Sequence, residues 1–497
     1  MGRRCKAHHD SRHQPGVTRN ALLGTRYVQL ARNTIDYWMR PGAPSLSEKG
    51  LRRAIEQAPV LPDASLRLYL HVPYCAQRCR FCAFSGGNSL SWKDAERYAK
   101  LLVQQLHAQW SGTPMRGKPI RSVNIGGGSP DLLGESIDIV LAAVRGLPGF
   151  SDATELGVEL SLATARPAFI ERLVANGVTK VSFGLQSLDP TVREHMRQPK
   201  TLVHLERVLS WLDGRIPIVN ADLITGLPGQ DRDGVVEDLE TLMAEPRITA
   251  ISSYLLTVGA APALVAAIEQ GSIPTVPAPL DQALMRLETY GAFRRAGWVR
   301  RGTNTYVDPS RIPPEALARM AGDECIGAAS YETFLVGVGP QAVSSMPGVR
   351  LENLVDVEAW THAVERGALP VHVSKCSTTH QRDMALWTFP LRWEGLPRAR
   401  WDAMRDADVL TPAQLQTFEA LQHEGLITTS DEGFELSLLG EVFMGHLVRD
   451  LKSDAGRSAV DAYIAEGEAL GRAAARGKAP DANVLNDRQQ AGQWLDG

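Results

Sequence analysis

Three cysteines within eight residues are the positions in this chain most able to do chemistry. Cys75, Cys79 and Cys82 stand in the stretch HVPYCAQRCRFCAF, and the other three of the six cysteines are scattered. The C-x3-C-x2-C spacing puts three thiolates within reach of one metal centre. Structural zinc and ordinary electron-transfer clusters usually take four protein ligands. Three thiolates therefore predict an iron–sulfur cluster with one open iron, and zinc with His71 as fourth ligand is the alternative.

Further candidate binding residues follow the cysteines along the chain. The run GGGSP, from Gly126 to Pro130, begins without side chains, so its backbone could approach a ligand and donate N–H groups to a carboxylate. Glu159, Gln186 and Asp222 stand at the ends of predicted strands. Half-buried polar groups need partners there. From these residues alone, a tight turn is the simpler interpretation of the glycine run and barrel packing that of the strand-end residues, with ligand binding as the alternative.

The elements that position these residues alternate between two patterns from Leu66 onward. Short β-branched runs predict strands, and longer amphipathic stretches between them predict helices. The predicted strands are LRLYLHV, SVNIGGG, ELGVELS, KVSFGLQS, IPIVNADLI and ITAISSYLLTV; the helical patterns include WKDAERYAKLLVQQLHAQW, RPAFIERLVANG and TLVHLERVLSWLD. This alternation predicts an α/β fold, a partial or full barrel of parallel strands with its site at the C-terminal mouth.

Five regions are expected along the chain. Residues 1–65 form an N-terminal extension with a capped amphipathic segment, SLSEKGLRRAIEQA. Residues 66–300 form the core barrel, and residues 301–380 a linker in which YETFLVGVGPQAVSS returns to the barrel. Residues 381–452 predict a smaller, mostly helical domain with a β-wing, EGLITTSDEGFELSLLG. Residues 453–497 are rich in Ala, Gly and charge, and predict a helix that frays into disorder.

The bulk composition excludes some classes of function. Of the 497 residues 44% are hydrophobic and 22% charged, and 53 basic residues against 56 acidic ones give a net charge of −3. This balance supports neither a nucleic-acid nor a membrane-surface partner. No apolar run approaches the ~20 residues that span a bilayer, and the basic N-terminus lacks the apolar segment of a secretory signal. Clustered thiols without a disulfide framework predict a cytoplasmic location.

The region from Tyr69 to about Asp222 resembles the radical S-adenosylmethionine (SAM) superfamily, and more narrowly its HemN-like branch. The motifs that carry the resemblance are YLHVPYCAQRCRFC, NIGGGSPDLL, the glutamate of GVELS, VSFGLQSLD and ADLITGLPGQ. Weaker similarity continues through SSYLLTV, VGVGPQAVSS and the C-terminal region. The branch includes oxygen-independent coproporphyrinogen III oxidase, the haem chaperone HemW, anaerobic haem-degrading enzymes and class C radical SAM methyltransferases.

The resemblance implies a 4Fe–4S cluster held by the three clustered cysteines, with SAM on its open iron. Reductive cleavage of SAM then gives methionine and a 5′-deoxyadenosyl radical, with an electron from a donor such as flavodoxin or ferredoxin. The positions that match ligands of the cluster-bound SAM are Tyr69, Gly127, Glu159 and Val343. Those that match a second SAM are Phe81, Gly128, Ser129, Gln186, Arg197, Asp222 and Leu255.

Two departures from the family pattern narrow the expected function. Coproporphyrinogen oxidases of this type usually carry a further cysteine two residues beyond the third, where this chain has Phe84. The family arginine after the GLQS strand would fall on Gln198, and the nearest arginine, Arg197, is one residue short. His71 resembles the strand-end histidine of the family and is expected to be structural.

Three functions from different classes remain open at this point. The leading hypothesis is transfer of a methyl or methylene group from a second SAM to an sp2 carbon. The second is a tetrapyrrole enzyme that decarboxylates coproporphyrinogen III or opens a haem ring, and the third is a haem chaperone of the HemW type. Tyr254 and His380 are candidate acid–base residues, with a core tyrosine and a surface histidine as the alternatives. The substrate, a small molecule or a tetrapyrrole, stays unassigned.

Overall fold

The architecture is given by a computed structural model. It describes residues 19–27, 47–58, 60, 64–82, 90–111, 116–198, 202–258, 261–302, 304–320, 333–346, 349–375, 386–387, 390–391, 395–458 and 461. None of the helices in these ranges is both long and apolar enough to cross a membrane.

Two sheets contain the described strands. The twelve strands of the large sheet are β1 (Ser65–Val72), β2 (Ile120–Gly127), β3 (Glu155–Leu160), β4 (Lys180–Gln186), β5 (Ile218–Thr225), β6 (Ala250–Leu255), β7 (Val299–Arg300), β8 (Thr305–Val307), β9 (Thr333–Val338), β10 (Val343–Met346), β11 (Val349–Asn353) and β12 (Val371–Lys375). The three strands of the small sheet are β13 (Leu396–Pro397), β14 (Ile427–Thr429) and β15 (Gly433–Leu436).

The large sheet has a parallel centre with antiparallel edges. Its strand order is β12-β11-β10-β9-β1-β2-β3-β4-β5-β6-β8-β7, and neighbours from β9 through β6 in this order run parallel. Strands β10–β12 on one side and β7–β8 on the other are antiparallel. Because parallel neighbours need a crossover, each central connection contains a helix. The α/β fold predicted from the sequence is confirmed, and the strand order of the described residues is open rather than closed.

Sixteen α-helices have both of their ends within the described ranges. They are α1 (Arg19–Leu23), α2 (Glu48–Glu56), α3 (Trp92–Ser111), α4 (Ile137–Arg145), α5 (Pro167–Ala175), α6 (Pro190–His195), α7 (Leu202–Leu212), α8 (Arg232–Ala244), α9 (Pro262–Glu269), α10 (Pro279–Arg295), α11 (Pro314–Arg319), α12 (Val357–Glu365), α13 (Arg398–Asp406), α14 (Pro412–His423), α15 (Leu438–Val442) and α16 (Met444–Leu451). The predicted cap of the amphipathic N-terminal segment is present, since the hydroxyl of Ser47 accepts the N–H of Gly50.

Alternating side chains give the central strands one apolar and one polar face. On β1, Leu66, Leu68 and Leu70 are fully buried in the main apolar cluster, which also contains residues of the flanking helices. Tyr69 and His71 lie on the opposite face and hydrogen-bond to each other. Since successive residues of a strand point to opposite faces, this second face also holds Glu159 of β3, Ser182 of β4 and Asn220 of β5. The ends of those strands therefore form a polar mouth.

The C-terminal region is a helical unit with the small sheet as its β-wing. An aromatic cluster fills it, with Trp401 stacked on Phe418 at 4.2 Å between ring centroids and Phe434 against both rings. The N-terminal segment 19–27 packs on this unit, where the Tyr27 hydroxyl donates to Asp450 over 2.8 Å. The sequence did not predict this contact between the two ends of the chain. The expected fraying tail lies mostly outside the described residues.

Candidate active site

The three clustered cysteines occupy the loop that follows β1, here called the cysteine loop (residues 73–82). Cys75, Cys79 and Cys82 are half-buried thiols that form no disulfide with one another and lie close enough to interact electrostatically. Burial raises the pKa of Cys75, and it raises that of Cys79 to about 11. The thiols would therefore have to release protons on binding a metal, as metal-bound cysteines do.

In the described part of the chain, the three thiols do not belong to a mononuclear metal site. Among the described residues, no three His, Cys, Asp or Glu side chains converge on one point as a mononuclear site requires. A four-iron cluster takes each thiolate on a separate iron, so its sulfur ligands stand further apart. The alternative zinc ligand, His71, uses its Nδ1 atom in a 2.9 Å hydrogen bond with the Tyr69 hydroxyl. The described residues therefore contain no site for the zinc ion considered as the alternative.

The glycine run after β2 fastens the cysteine loop to the sheet. The Gly128 N–H donates to the Val72 carbonyl over 2.8 Å, and the Ser129 N–H donates to the Tyr74 carbonyl over 2.6 Å. A Cβ atom on Gly128 would lie 2.4 Å from that Tyr74 oxygen, so a side chain has no room here. The sequence predicted that this run donates its N–H groups to a ligand. That prediction is wrong for these two N–H groups, because the cysteine loop already uses them.

An aromatic residue of α3 supports the base of the loop from behind. The Tyr98 hydroxyl donates to the carbonyl of His71 over 2.7 Å, and its ring meets Tyr74 edge-on and Trp360 at a tilt. All three rings are buried or half-buried. The start of the cysteine loop is therefore held between the sheet and two helices.

Glu159, the carboxylate predicted to bind SAM, lies at the end of β3 beside the glycine run. Its carboxylate accepts the Gly127 N–H and the Asn124 amide, each over 3.0 Å. A Cβ atom on Gly126 would be only 2.1 Å from this carboxylate, so the glycine makes room for it. Burial raises the pKa of Glu159, and these two hydrogen bonds oppose the rise.

Asp222 on β5 is a second carboxylate with a perturbed pKa. Burial, together with the negative charge of Glu159, raises the pKa of Asp222 to about 7. Lys180 and a 2.8 Å hydrogen bond from the Asn220 amide oppose this rise. Lys180 also lies 4.0 Å from Glu155. Glu159 and Asp222 thus share one nearby lysine, Lys180, so the site holds more negative than positive charge.

Gln186 ends β4 in an unusual backbone conformation. Its φ of +67° is left-handed, which costs a non-glycine residue roughly 1–3 kcal/mol. Its side-chain Oε1 atom is buried and has no hydrogen-bond partner among the described residues. Unsatisfied buried acceptors and strained backbone are typical of sites that bind a ligand.

Tyr69 and His71 form the wall next to the glycine run. Burial lowers the pKa of His71 to about 4, so its ring is neutral. Gly127 has a φ of +104°, and a Cβ atom there would lie 2.3 Å from the His71 ring. His71 therefore shapes the wall, in line with the structural role expected for it.

The other predicted ligands are placed in different ways. The Ser129 side chain is buried and opposes the rise of the Cys75 pKa. Phe81 is half-buried against a second apolar cluster, formed with the ends of β5 and β6 and with α9. Val343 and Leu255 are half-buried at the start of β10 and the end of β6. Arg197 is exposed, with a left-handed φ of +53°.

Two functional candidates escaped the sequence analysis as site residues. Gln198 opposes the rise of the Cys79 pKa, and Asn220 links Ser182, Asp222 and Ser252 across three strands. Gln198 could have been found because it occupies the position where the family arginine was expected. Asn220 could have been found because polar residues alternate with apolar ones along β5. Phe84 and His380 lie outside the described residues. Tyr254 is 36% exposed at the mouth.

Comparison with known proteins agrees with this geometry. Residues 69–242 match the radical SAM superfamily. The haem chaperone HemW of Mycobacterium tuberculosis is 26% identical over 413 residues, covering 80% of this chain and 98% of the relative. Oxygen-independent coproporphyrinogen III oxidase of Helicobacter pylori is 23% identical over 415 residues, covering 81% of this chain and 87% of the relative.

A solved structure shows the same fold. Coproporphyrinogen III oxidase (HemN) of Escherichia coli superposes with a TM-score of 0.66 at 19% identity, over 83% of this chain and 94% of that one. Residues 69–242 therefore carry a radical SAM domain, as their motifs predicted, and the chain is similar to HemN-like proteins along most of its length. This family implies a 4Fe–4S cluster and SAM as cofactors.

Proposed function

We propose that this HemN-like radical SAM enzyme holds its cluster through Cys75, Cys79 and Cys82, and binds SAM between the cysteine loop and Glu159. The observation that carries the proposal is that three neighbouring thiols and two carboxylates of raised pKa, Glu159 and Asp222, lie at the same end of the sheet. When bound, the cluster supplies the electron that cleaves SAM to a radical.

The charges of the mouth fit a cationic ligand. After burial, the negative charge of Glu159 raises the pKa of Asp222, and Lys180 only partly opposes this. SAM carries an ammonium and a sulfonium, and either cation would relieve this repulsion. Glu159 is held towards the glycine run by Asn124 and Gly127, so its carboxylate is already oriented to accept an ammonium group. Tyr69 and Val343 complete the proposed walls.

For the substrate we propose a tetrapyrrole. The support is the set of relatives, which are named as haem chaperones and coproporphyrinogen oxidases and align along most of this chain. Phe81 and the apolar cluster around α9 offer an apolar wall beside the cysteine loop for such a macrocycle.

Transfer of a methyl or methylene group from a second SAM is the second candidate. It is favoured by the unpartnered Gln186 Oε1 atom, which lies one strand away from Asp222 and could accept from a second ligand. Gly128, Ser129 and Leu255 remain proposed neighbours of this ligand. Arg197 is exposed, and Gln198 takes the place where the family arginine was expected. A second SAM would thus lack that cation for its carboxylate.

The cluster is tested by anaerobic reconstitution. The wild-type chain should bind about four irons and, with dithionite, convert SAM to methionine and 5′-deoxyadenosine. Cys79→Ala should lose both, whereas Cys376→Ala, at a cysteine outside the cluster motif, should lose neither. Full iron content and SAM cleavage in Cys79→Ala would refute the proposal.

The substrate is tested with the same reconstituted protein. Coproporphyrinogen III and haem are each incubated with protein, reductant and methyl-labelled SAM. A decarboxylated or ring-opened tetrapyrrole supports the leading proposal, and label in a new product supports group transfer. Stable haem binding without SAM cleavage would identify a chaperone and would overturn both enzymatic candidates.

A further inference from the structure

Two arginines from distant parts of the chain meet where the cysteine loop contacts the segment that follows α6. The Arg80 N–H donates to the Met196 carbonyl over 2.9 Å, and the Arg80 guanidinium donates through Nη1 to the His195 carbonyl. The Gln77 amide donates to the Arg197 carbonyl over 2.9 Å. These hydrogen bonds hold the segment against the loop and bring Arg197 into the same region as Arg80.

Positive charge prevails where the loop and the segment meet. Residues 73–82 contain two arginines and no Asp or Glu, and residues 195–198 contain Arg197 and again no Asp or Glu. The neighbouring Glu194 on α6 is exposed. Within the described residues, neither Arg80 nor Arg197 forms an ion pair with a carboxylate. Two guanidinium groups held close together without a counter-charge indicate a site for an anion.

Apolar surface adjoins these two cations. Phe81 follows Arg80 in the chain, and Met196 precedes Arg197. Both apolar side chains belong to the second apolar cluster, in which Met196 is fully buried while Phe81 and Val258 are half-buried. The rim of the mouth therefore presents an apolar wall with a cationic edge.

We propose that Arg80 and Arg197 bind a carboxylate side chain of the tetrapyrrole and thereby orient the macrocycle against Phe81. The inference rests on the proposed function. The rings of a tetrapyrrole are apolar, and its carboxylate side chains project from the edge, so the ligand has the same two kinds of surface side by side.

The guanidinium geometry suits this role. Among the described residues, the Nη1 group of Arg80 is used by the His195 carbonyl, whereas its Nε and Nη2 groups have no partner. These two groups lie on one side of the guanidinium and can donate together to both oxygens of a carboxylate. Arg197 is exposed and adds a second positive charge. A small inorganic anion would use the charges but would gain nothing from the apolar wall.

The test measures binding of coproporphyrin III, the stable oxidised form of coproporphyrinogen III, to the reconstituted protein by porphyrin absorbance and fluorescence. Arg197→Gln should weaken binding about tenfold, because a charge-assisted hydrogen bond becomes a neutral one. Arg197→Lys keeps the charge and should bind more tightly than Arg197→Gln. The methyl ester of the porphyrin carries no carboxylate, so it should bind wild type more weakly than the acid does, and equally well to wild type and Arg197→Gln.

The matched control is Arg121→Gln. Arg121 is exposed at the start of β2, the end of the sheet away from the mouth, and its replacement changes the net charge by the same amount. Its affinity for coproporphyrin III should equal that of wild type. Iron content and SAM affinity are measured on every variant, because they report whether the cysteine loop is intact and which ligand the arginine serves.

Each outcome decides a separate point. Wild-type protein that cleaves SAM but does not bind coproporphyrin III would overturn the tetrapyrrole proposal and this inference with it, and would leave the cluster ligands in place. Equal affinities of wild type and Arg197→Gln would overturn the inference alone. So would an equal loss in Arg121→Gln, or a loss of SAM affinity in Arg197→Gln without a loss of porphyrin affinity. If Arg197→Gln takes up no iron, the acid and the ester are compared on wild type, and equal binding of the two refutes the inference.

Discussion

Replacing Asp222 by asparagine should stabilise the apo-protein at alkaline pH and leave it nearly unchanged in acid. The pKa of Asp222 is raised from 3.8 to about 7 by burial and by the charge of Glu159. A carboxylate whose pKa is higher in the folded than in the unfolded chain favours folding below its unfolded value. It loses that contribution as the pH rises through the folded value. Asparagine keeps an oxygen to accept from Asn220 and removes the charge.

The magnitude follows from the size of this pKa change. At 1.36 kcal/mol per unit, the ionised side chain costs the fold up to about 4 kcal/mol above pH 7. Asp222 is partly exposed at the mouth, so solvent screening should reduce the observable cost to about 1–2 kcal/mol. A gain of this size corresponds to roughly 2–4 °C in melting temperature for a large domain.

The assay is thermal melting of the apo-protein at pH 5 and pH 8.5, because the difference between the two pH values isolates the titrating charge. Asp222→Asn should melt above wild type at pH 8.5, and the gap should shrink at pH 5. Glu240→Gln, on an exposed position of α8, is the control and should show no such change. Glu159→Gln removes the charge that repels ionised Asp222. In this variant, which keeps Asp222, the melting temperature should depend less on pH than in wild type. If the difference in melting temperature between Asp222→Asn and wild type is the same at both pH values, the electrostatic reasoning is refuted.

Three other perturbations test separate parts of the structure. Glu159→Gln should weaken SAM binding to the reconstituted protein about tenfold, because a charge-assisted hydrogen bond becomes a neutral one; equilibrium dialysis would show it, and unchanged affinity would remove Glu159 from the site. Gly128→Ala should lower iron uptake on reconstitution, since its Cβ would clash with the Tyr74 carbonyl; full uptake would contradict the proposed fastening of the loop. Tyr27→Leu should cost about 1–3 kcal/mol through the lost Asp450 hydrogen bond and aromatic packing. Urea unfolding monitored at the C-terminal unit measures this, and an unchanged midpoint would show that the N-terminal segment adds no stability.

Much of the secondary structure of the core could be predicted from local sequence patterns. All six predicted strands from LRLYLHV to ITAISSYLLTV are present as β1–β6, and the helical patterns between them are α3, α5 and α7. The return of YETFLVGVGPQAVSS is also present, because β9 pairs in parallel with β1. These elements were predictable since period and burial are properties of consecutive residues.

The hydrogen bonds of the site were much less predictable. The GGGSP run looked like a set of free N–H donors, but the Gly128 and Ser129 N–H groups bind the cysteine loop. Gln198 was noticed only because an arginine was missing from its position. Both outcomes depend on which groups from distant parts of the chain meet, and no local pattern records that.

The sequence by itself determined that three closely spaced thiols follow the first strand and that glycines and carboxylates end the next strands. Those features are set by residue type, spacing and the two-residue period of a strand. Only the tertiary structure decided that the charge of Glu159 acts on Asp222, and that the segment after α6 lies against the cysteine loop. Charge interactions and hydrogen bonds act over a few ångströms in space. Residues separated by tens or hundreds of positions acquire them only when strand register and the turn after α6 bring them together.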